Sequence, residues 1–396
     1  MPFRLTDQIV GQGRDWQVIQ PANTDHEALS AAIGAKIGRT IQGTLMHYVT
    51  GGAFDEDGNL WISSYYNKMH RLNEQLQIDY TPDIAYESPD AGDGTAFLQD
   101  MSVTKDGSRL LLAVSYGRHC VRVYSQDDGA LISTIGVPGQ NGNISDGMLW
   151  NPHSAVRLAN GNIIVSSYNG FGESATNHGT ITEWDVSTPA AQLVATRMEF
   201  VGDGVSTVGT NKIFRPMRMI LDKDDPAVIW ISEYGRGKIL KVDTSSWVTV
   251  DIINPPTEVL DIRNSFGLTQ MSDGTMVVAS NIRQKIIGIN PVTKEQVFEI
   301  DPKSYGSSGS QMRGVFEISP GHIAWADWST QLIYCAQAAR FDIAYVPPTV
   351  QPGWEVERLN LPDWLDPDDF VARDVRAIDV DQRSAPVLVA IRRVDV

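Results

Sequence analysis

Asp57-Gly58-Asn59-Leu60-Trp61-Ile62-Ser63-Ser64-Tyr65 places a turn dipeptide ahead of a β-branched and aromatic run that ends in small polar side chains and an aromatic. The phrase returns from Asp106-Gly107 to Ser115-Tyr116, from Asn160-Gly161 to Ser167-Tyr168, and from Asp224-Asp225-Pro226 to Glu233-Tyr234. It returns again from Asp273-Gly274 to Ser280-Asn281 and from Pro320-Gly321 to Asp327-Trp328. Asp-Gly and Asn-Gly suit tight turns, and the residues that follow suit a pleated, buried strand. Successive turns lie roughly 50 residues apart, with one interval of about 65, close to the span of a four-stranded propeller blade. The longer intervals carry Gly-rich polar insertions at 169–179 and 202–211, which is loop chemistry.

Each turn joins two strands. The one before it reads like Ser154-Ala155-Val156-Arg157-Leu158, and the one after it like Val228-Ile229-Trp230-Ile231. A continuously apolar run fits a strand buried on both faces, as inner strands are between neighbouring blades. A third strand follows at 68–72, 119–124, 179–184, 238–242, 285–289 and 331–334, and a more polar fourth at positions such as 130–135 and 296–300. The expected fold is all-β: a β-propeller of four-stranded antiparallel blades, with six clear blades over residues 44–346. Residues 347–396 read as an acidic, Pro- and Trp-rich excursion followed by two strands, 374–381 and 386–391. Residues 1–43 offer strands at 3–10 and 16–19, with a short helix at 25–34 capped by Asp25 and stopped by Gly34. Strands from both termini completing a seventh blade would remove exposed edges, so seven blades are expected ahead of six.

The 396 residues carry a net charge of −16, which repels phosphate backbones and disfavours nucleic acid as a partner. The two cysteines, Cys120 and Cys335, fall in different repeats and read as small buried hydrophobes rather than a disulfide framework. The start, Met1-Pro2-Phe3-Arg4-Leu5-Thr6-Asp7, has neither the basic nor the apolar part of a secretory signal, and no apolar stretch is long enough to span a bilayer. The expectation is cytoplasmic synthesis without a membrane partner, with later release, for instance in a virus particle, left open.

Three pieces of the third unit go together: Ile135-Gly136-Val137-Pro138-Gly139, then Gly147-Met148-Leu149-Trp150-Asn151-Pro152-His153-Ser154-Ala155-Val156, then Asn160-Gly161-Asn162-Ile163-Ile164-Val165-Ser166-Ser167. They resemble an NHL-type propeller repeat. By repeat logic the resemblance extends over residues 44–346, with the close match confined to this unit. It implies a superfamily of binding scaffolds and of enzymes, among them gluconolactonase-like lactone hydrolases, paraoxonase-like esterases and the lyase that finishes peptide amidation. Fold alone does not choose among these. In the enzymes it resembles, a metal sits in the central channel on ligands from the entrance ends of the innermost strands. Counted back from each turn, the corresponding positions are Thr50 and Gly51, Gln99 and Asp100, His153 and Ser154, Met217 and Arg218, Phe266 and Gly267, Arg313 and Gly314, with Val375 and Arg376 from a seventh copy.

That ring offers calcium one carboxylate, Asp100, with Gln99, Asn151 and Asn264 nearby, where several oxygen ligands are wanted. It offers zinc one imidazole, His153, with His47 some residues before the first inner strand, where three ligands are wanted. No metal, cofactor or catalytic residue is therefore expected. Asp100, His153, Arg218, Arg313 and Arg376 remain candidates for ligand binding at the channel mouth. Asp100 would pair with one of the arginines, or the arginines would grip a carboxylate or phosphate through bidentate hydrogen bonds. Tyr65, Tyr116, Tyr168, Tyr234 and Trp328 share one repeat position, where packing against the next blade is expected rather than a sugar-stacking ring. Asp55-Glu56-Asp57-Gly58-Asn59 reads as a type I′ hairpin turn with solvated acids, and Asp363, Asp366, Asp368 and Asp369 as a solvated acidic loop. The functional expectation is a rigid, acidic, non-catalytic propeller that mediates protein–protein or glycan contacts through its loops, a virion or tail component being one version. The alternative is a metal-dependent small-molecule hydrolase or lyase.

Overall fold

The computed structural model describes residues 49–64, 68–72, 78–80, 98–142, 144–169, 179–200, 205–255, 260–305, 307–319, 321–330 and 332–338, and three strands farther on. The first sheet runs β1 (Val49–Phe54), β2 (Leu60–Ser64), β3 (Lys68–Leu72) and β4 (Ile78–Tyr80), and the second β5 (Leu98–Val103), β6 (Leu110–Ser115), β7 (Cys120–Ser125) and β8 (Leu131–Ile135). The third runs β9 (Pro152–Arg157), β10 (Ile163–Ser167), β11 (Thr180–Asp185) and β12 (Gln192–Glu199), and the fourth β13 (Pro216–Leu221), β14 (Val228–Glu233), β15 (Lys238–Asp243) and β16 (Val248–Ile253). The fifth runs β17 (Ser265–Gln270), β18 (Met276–Ser280), β19 (Lys285–Ile289) and β20 (Gln296–Ile300), and the sixth β21 (Met312–Ser319), β22 (His322–Asp327) and β23 (Leu332–Gln337). Strands pair antiparallel in chain order within each sheet, and first strands pack side by side from β1 round to β21 and back to β1. This is a β-propeller.

The ring closes with six blades, not the seven favoured from sequence. At the joint, a Cβ added to Gly314 would lie 2.6 Å from the Gly51 Cα, and one added to Gly52 would lie 2.9 Å from the Phe316 ring. The Phe54 and Phe316 rings meet edge to face at 6.5 Å. The sixth sheet thus touches the first directly, which leaves no gap for another blade. The two late strands do form an antiparallel pair, β25 (Val375–Val380) and β26 (Pro386–Arg393), but they join β24 (Trp354–Leu359) in a separate sheet of order β24-β26-β25. β24 falls inside the segment expected to be a surface excursion. The N-terminal strands and helix, the acidic loop around Asp363 and most of the 169–179 insertion lie outside the described residues.

The turn glycines have left-handed φ, from 77° at Gly107 to 92° at Gly274, as the repeat phrase requires. Asp57 does not, so the first turn is not type I′. Nor are its acids all solvated: Asp55 is buried and accepts hydrogen bonds from the Asn59 N–H and, at 2.9 Å, from the Trp61 indole. β6, β10, β14 and β18 are buried along their whole length, as their unbroken apolar runs demand. The core lies between blades, as where Leu112 and Val114 of the second pack with Ala155, Val165 and Trp184 of the third.

Candidate ligand-binding site at the channel mouth

Each innermost strand breaks register with its neighbour at the same repeat position. Pairing skips from Val49 to Gly51, Leu98 to Asp100, Pro152 to Ser154, Pro216 to Met219, Ser265 to Gly267 and Met312 to Val315. The skipped residues are Thr50, Gln99, His153, Met217 with Arg218, Phe266, and Arg313 with Gly314. All of them, with Asp100, line a throat on the axis that is wide enough for about one water. A bulge frees a residue from the alternation of the strand and re-aims its side chain. Here six bulges aim theirs at the axis. Counting back from the turns locates these positions; the bulge that brings them to the axis leaves no mark in residue type. Arg376 lies on β25, which is not among the six inner strands. Asn151 and Asn264 do not line the throat. Each stands just before or at the foot of an inner strand in left-handed φ (51° and 56°), a conformation asparagine tolerates.

Inside the throat Asp100 pairs with Arg218, and its Oδ1 also accepts the Met101 N–H at 2.7 Å. The other carboxylate oxygen is buried without a hydrogen bond. Burial lowers the Arg218 guanidinium to about 10, so it keeps its charge at neutral pH and Asp100 supplies the countercharge. His153 is 7% exposed. Burial, with a smaller push from the Arg313 charge, lowers its imidazole to about 3, so it is neutral at pH 7.

Above the throat opens a vestibule of about 330 Å³. Its wall is a belt of rings. Tyr116 meets His153 edge to face at 5.0 Å, His153 meets Tyr168 at 5.4 Å, Tyr168 meets Tyr234 at 5.6 Å and Tyr234 meets Phe266 at 5.5 Å. The Arg313 guanidinium continues the belt, 4.2 Å from the Phe266 ring centre and 4.7 Å from that of Trp328. Of the aromatics at the shared repeat position, Tyr116, Tyr168 and Tyr234 therefore pack against rings of the next blade, and with Trp328 they face a cavity. Tyr65 lies outside the described residues.

A resident metal of the kind the resemblance implies does not fit this donor set. One carboxylate is held by a guanidinium, one imidazole stands alone, and a second guanidinium sits beside them. Among the described residues no three His, Cys, Asp or Glu side chains converge on a point.

No family model matches the chain, and no curated protein matches its sequence. Solved structures similar to it include a streptogramin B lyase, at 16% identity and TM-score 0.48 over 75% of this chain and 85% of that one. They also include the WD40 propeller domain of Doa1, at 12% identity and TM-score 0.48 over 73% and 78% of the two chains. A virginiamycin B lyase from Staphylococcus aureus stands at 15% identity and TM-score 0.46 over 74% and 85%. These are likenesses of fold.

Proposed function

We propose that this chain is a non-catalytic binding propeller that receives its ligand at the axial mouth. The observation that carries this reading is the pairing of a concave, ring-lined vestibule with a throat in which the described residues offer no free set of metal ligands. Asp100 is committed to Arg218, and His153 is neutral and wedged between Tyr116 and Tyr168. A few polar groups among aromatic walls, in a cavity of this size, is the usual make-up of a small-ligand site. An NHL-type repeat, suggested by residues 135–167, suits this role, and a protein partner or a glycan is the expected larger context.

Metal analysis of the purified protein, with ester and lactone hydrolysis assays before and after chelation, tests the reading. Substoichiometric calcium and zinc with no turnover is expected. A stoichiometric ion together with chelator-sensitive hydrolysis would overturn it.

A further inference from the structure

Both ends of the stretch 206–214 are tied to one carboxyl oxygen. Glu233 Oε1, at the end of β14, accepts the Ser206 hydroxyl from one end and, at 2.7 Å, the Phe214 N–H from the other. Lys238 Nζ donates to Ser206 O at 3.0 Å and adds a second tie at the first end. Between its ends the stretch crosses the outer strands of two blades. It meets β12 through Glu199 N–H to Asn211 O at 3.3 Å and Ile213 N–H to Glu199 O at 3.2 Å, and β16 through Gly209 N–H to Thr249 O at 2.8 Å. A loop whose ends sit together while its middle spans neighbouring elements has the form of a strap. Its middle is lightly held: Thr207, Val208 and Gly209 are exposed, Val208 by 60%. Exposed backbone hydrogen bonds of this kind open locally, ahead of the core.

The clasp suits an uncharged carboxyl. Glu233 is 1% exposed, and its Oε2 is buried without a hydrogen-bond partner. A proton on Oε2 removes the charge and leaves Oε1 to accept both donors of the strap. Ionisation would put charge on an oxygen that meets neither water nor a donor, which is costly. Burial therefore raises this carboxyl to about 7, although Lys238 on β15 and Arg236 in the turn before it favour the ionised form. Arg215, at the entry to β13, lies over the Phe214 and Tyr168 rings at 5.4 and 5.0 Å, and Arg218 is held by Asp100. Glu199 and Lys212 meet where the strap crosses β12.

We propose that residues 206–214 are a proton-sensitive strap: protonated Glu233 holds it shut over the outer edges of the third and fourth blades, and loss of that proton loosens it and uncovers them. Opening brings the carboxyl into water, where it titrates at its ordinary 4.5. Between that value and about 7 the closed strap keeps a proton that the open one releases. Closure is therefore fully favoured below about 4.5 and loses that advantage as pH rises through about 7. What it uncovers is a pair of strand edges, a surface that takes up another extended chain.

Hydrogen exchange of the full chain, read by mass spectrometry from pH 5 to pH 8 and corrected for the exchange rate of unstructured peptide at each pH, tests the strap. Protection of peptides spanning 205–214 is expected to fall about ten- to a hundredfold over that range, as a carboxyl moving between 4.5 and about 7 implies. Peptides spanning β6 and β18 are expected to keep their protection. Glu233→Gln retains an accepting oxygen and cannot ionise, so its strap is expected to be equally protected at pH 5 and pH 8. Strap protection that does not change with pH in the unaltered protein overturns the proposal, and so does a Glu233→Gln strap that still loosens. Loss of protection in β6 and β18 together with the strap also overturns it, because that is the signature of global unfolding. If Glu233→Gln does not fold, the contrast between strap and inner strands in the unaltered protein decides.

Discussion

Asp222 and Trp230 show how single polar side chains fasten this propeller. The indole N–H of Trp230 donates to Asp222 Oδ2 at 2.7 Å, and the same carboxylate accepts the Asp224 and Asp225 N–H groups of the turn. Asp55 and Trp61 repeat the arrangement in the first blade, so a buried indole is satisfied by an acid that also shapes the turn. Asp222→Ala is expected to cost about 1–3 kcal/mol, the penalty for orphaning a buried donor, read from the shift in urea midpoint. Glu233 is a second such fastener. It is 1% exposed and accepts the Phe214 N–H at 2.7 Å and the Ser206 hydroxyl, anchoring the stretch that leads into the fourth blade. Burial raises its carboxyl from 4.5 to about 7 despite those bonds. Between those values the folded protein holds a proton that the unfolded chain has released. Its stabilising effect is therefore complete below about 4.5 and is lost as pH rises through about 7. Glu233→Gln should remove that slope, so that between pH 5 and pH 8 its stability falls less than that of the unaltered protein. An identical pH profile for the two proteins would refute this. The repeat position of Glu233 was visible in the sequence, but its partner Ser206, in a Gly-rich linker, was not. Nothing in residue type says which linker a buried acid will hold.

At the scale of strands and turns, the repeat phrase located β2, β6, β10, β14, β18 and β22 because turn chemistry and unbroken apolar runs are local properties. The bulges and the edge covers are not local. β8 at the rim of the second blade is bridged by the chain of the third, Thr134 N–H to Pro189 O at 2.9 Å and Ala191 N–H to Thr134 O at 3.0 Å. The linker into the fourth blade covers β16 in the same way, through Gly209 N–H to Thr249 O at 2.8 Å and Thr249 N–H to Thr210 O at 2.9 Å. From sequence that linker reads as a loop open to contacts; its described part also protects an edge that would otherwise invite pairing with another chain. Within a sheet, Gly288 on β19 lies opposite Phe298 on β20, and an added Cβ would fall 2.1 Å from the ring. Gly288→Ala should therefore displace a fully buried phenyl ring and destabilise by about 1–3 kcal/mol, measurable as a lower melting temperature with unchanged far-ultraviolet circular dichroism.

For the whole molecule, the number of blades depends on whether the first and last inner strands meet, a contact between residues more than half the chain apart that no local pattern encodes. Six copies of the repeat are legible locally, whereas the two late strands that resemble part of a seventh pair with β24 instead. The joint itself makes a testable asymmetry. A Cβ at Gly314 collides with the Gly51 backbone at 2.6 Å, whereas one at Gly51 finds its nearest atom at 3.8 Å. Gly314→Ala is expected to destabilise by about 1–3 kcal/mol and Gly51→Ala to be near neutral, as measured by chemical unfolding. Equal effects would mean that the ring does not close there. The channel mouth was legible as a set of positions because every blade presents the same place to the axis, but its character, a belt of rings carrying a clamped guanidinium, arises only when six neighbours stand together. Each inner strand gives up one or two ladder positions to the axis, so the residues there owe nothing to hydrophobic alternation. Such a scaffold lets selection change what the pore recognises one wall at a time, and an engineer could do the same without disturbing the blades that support it.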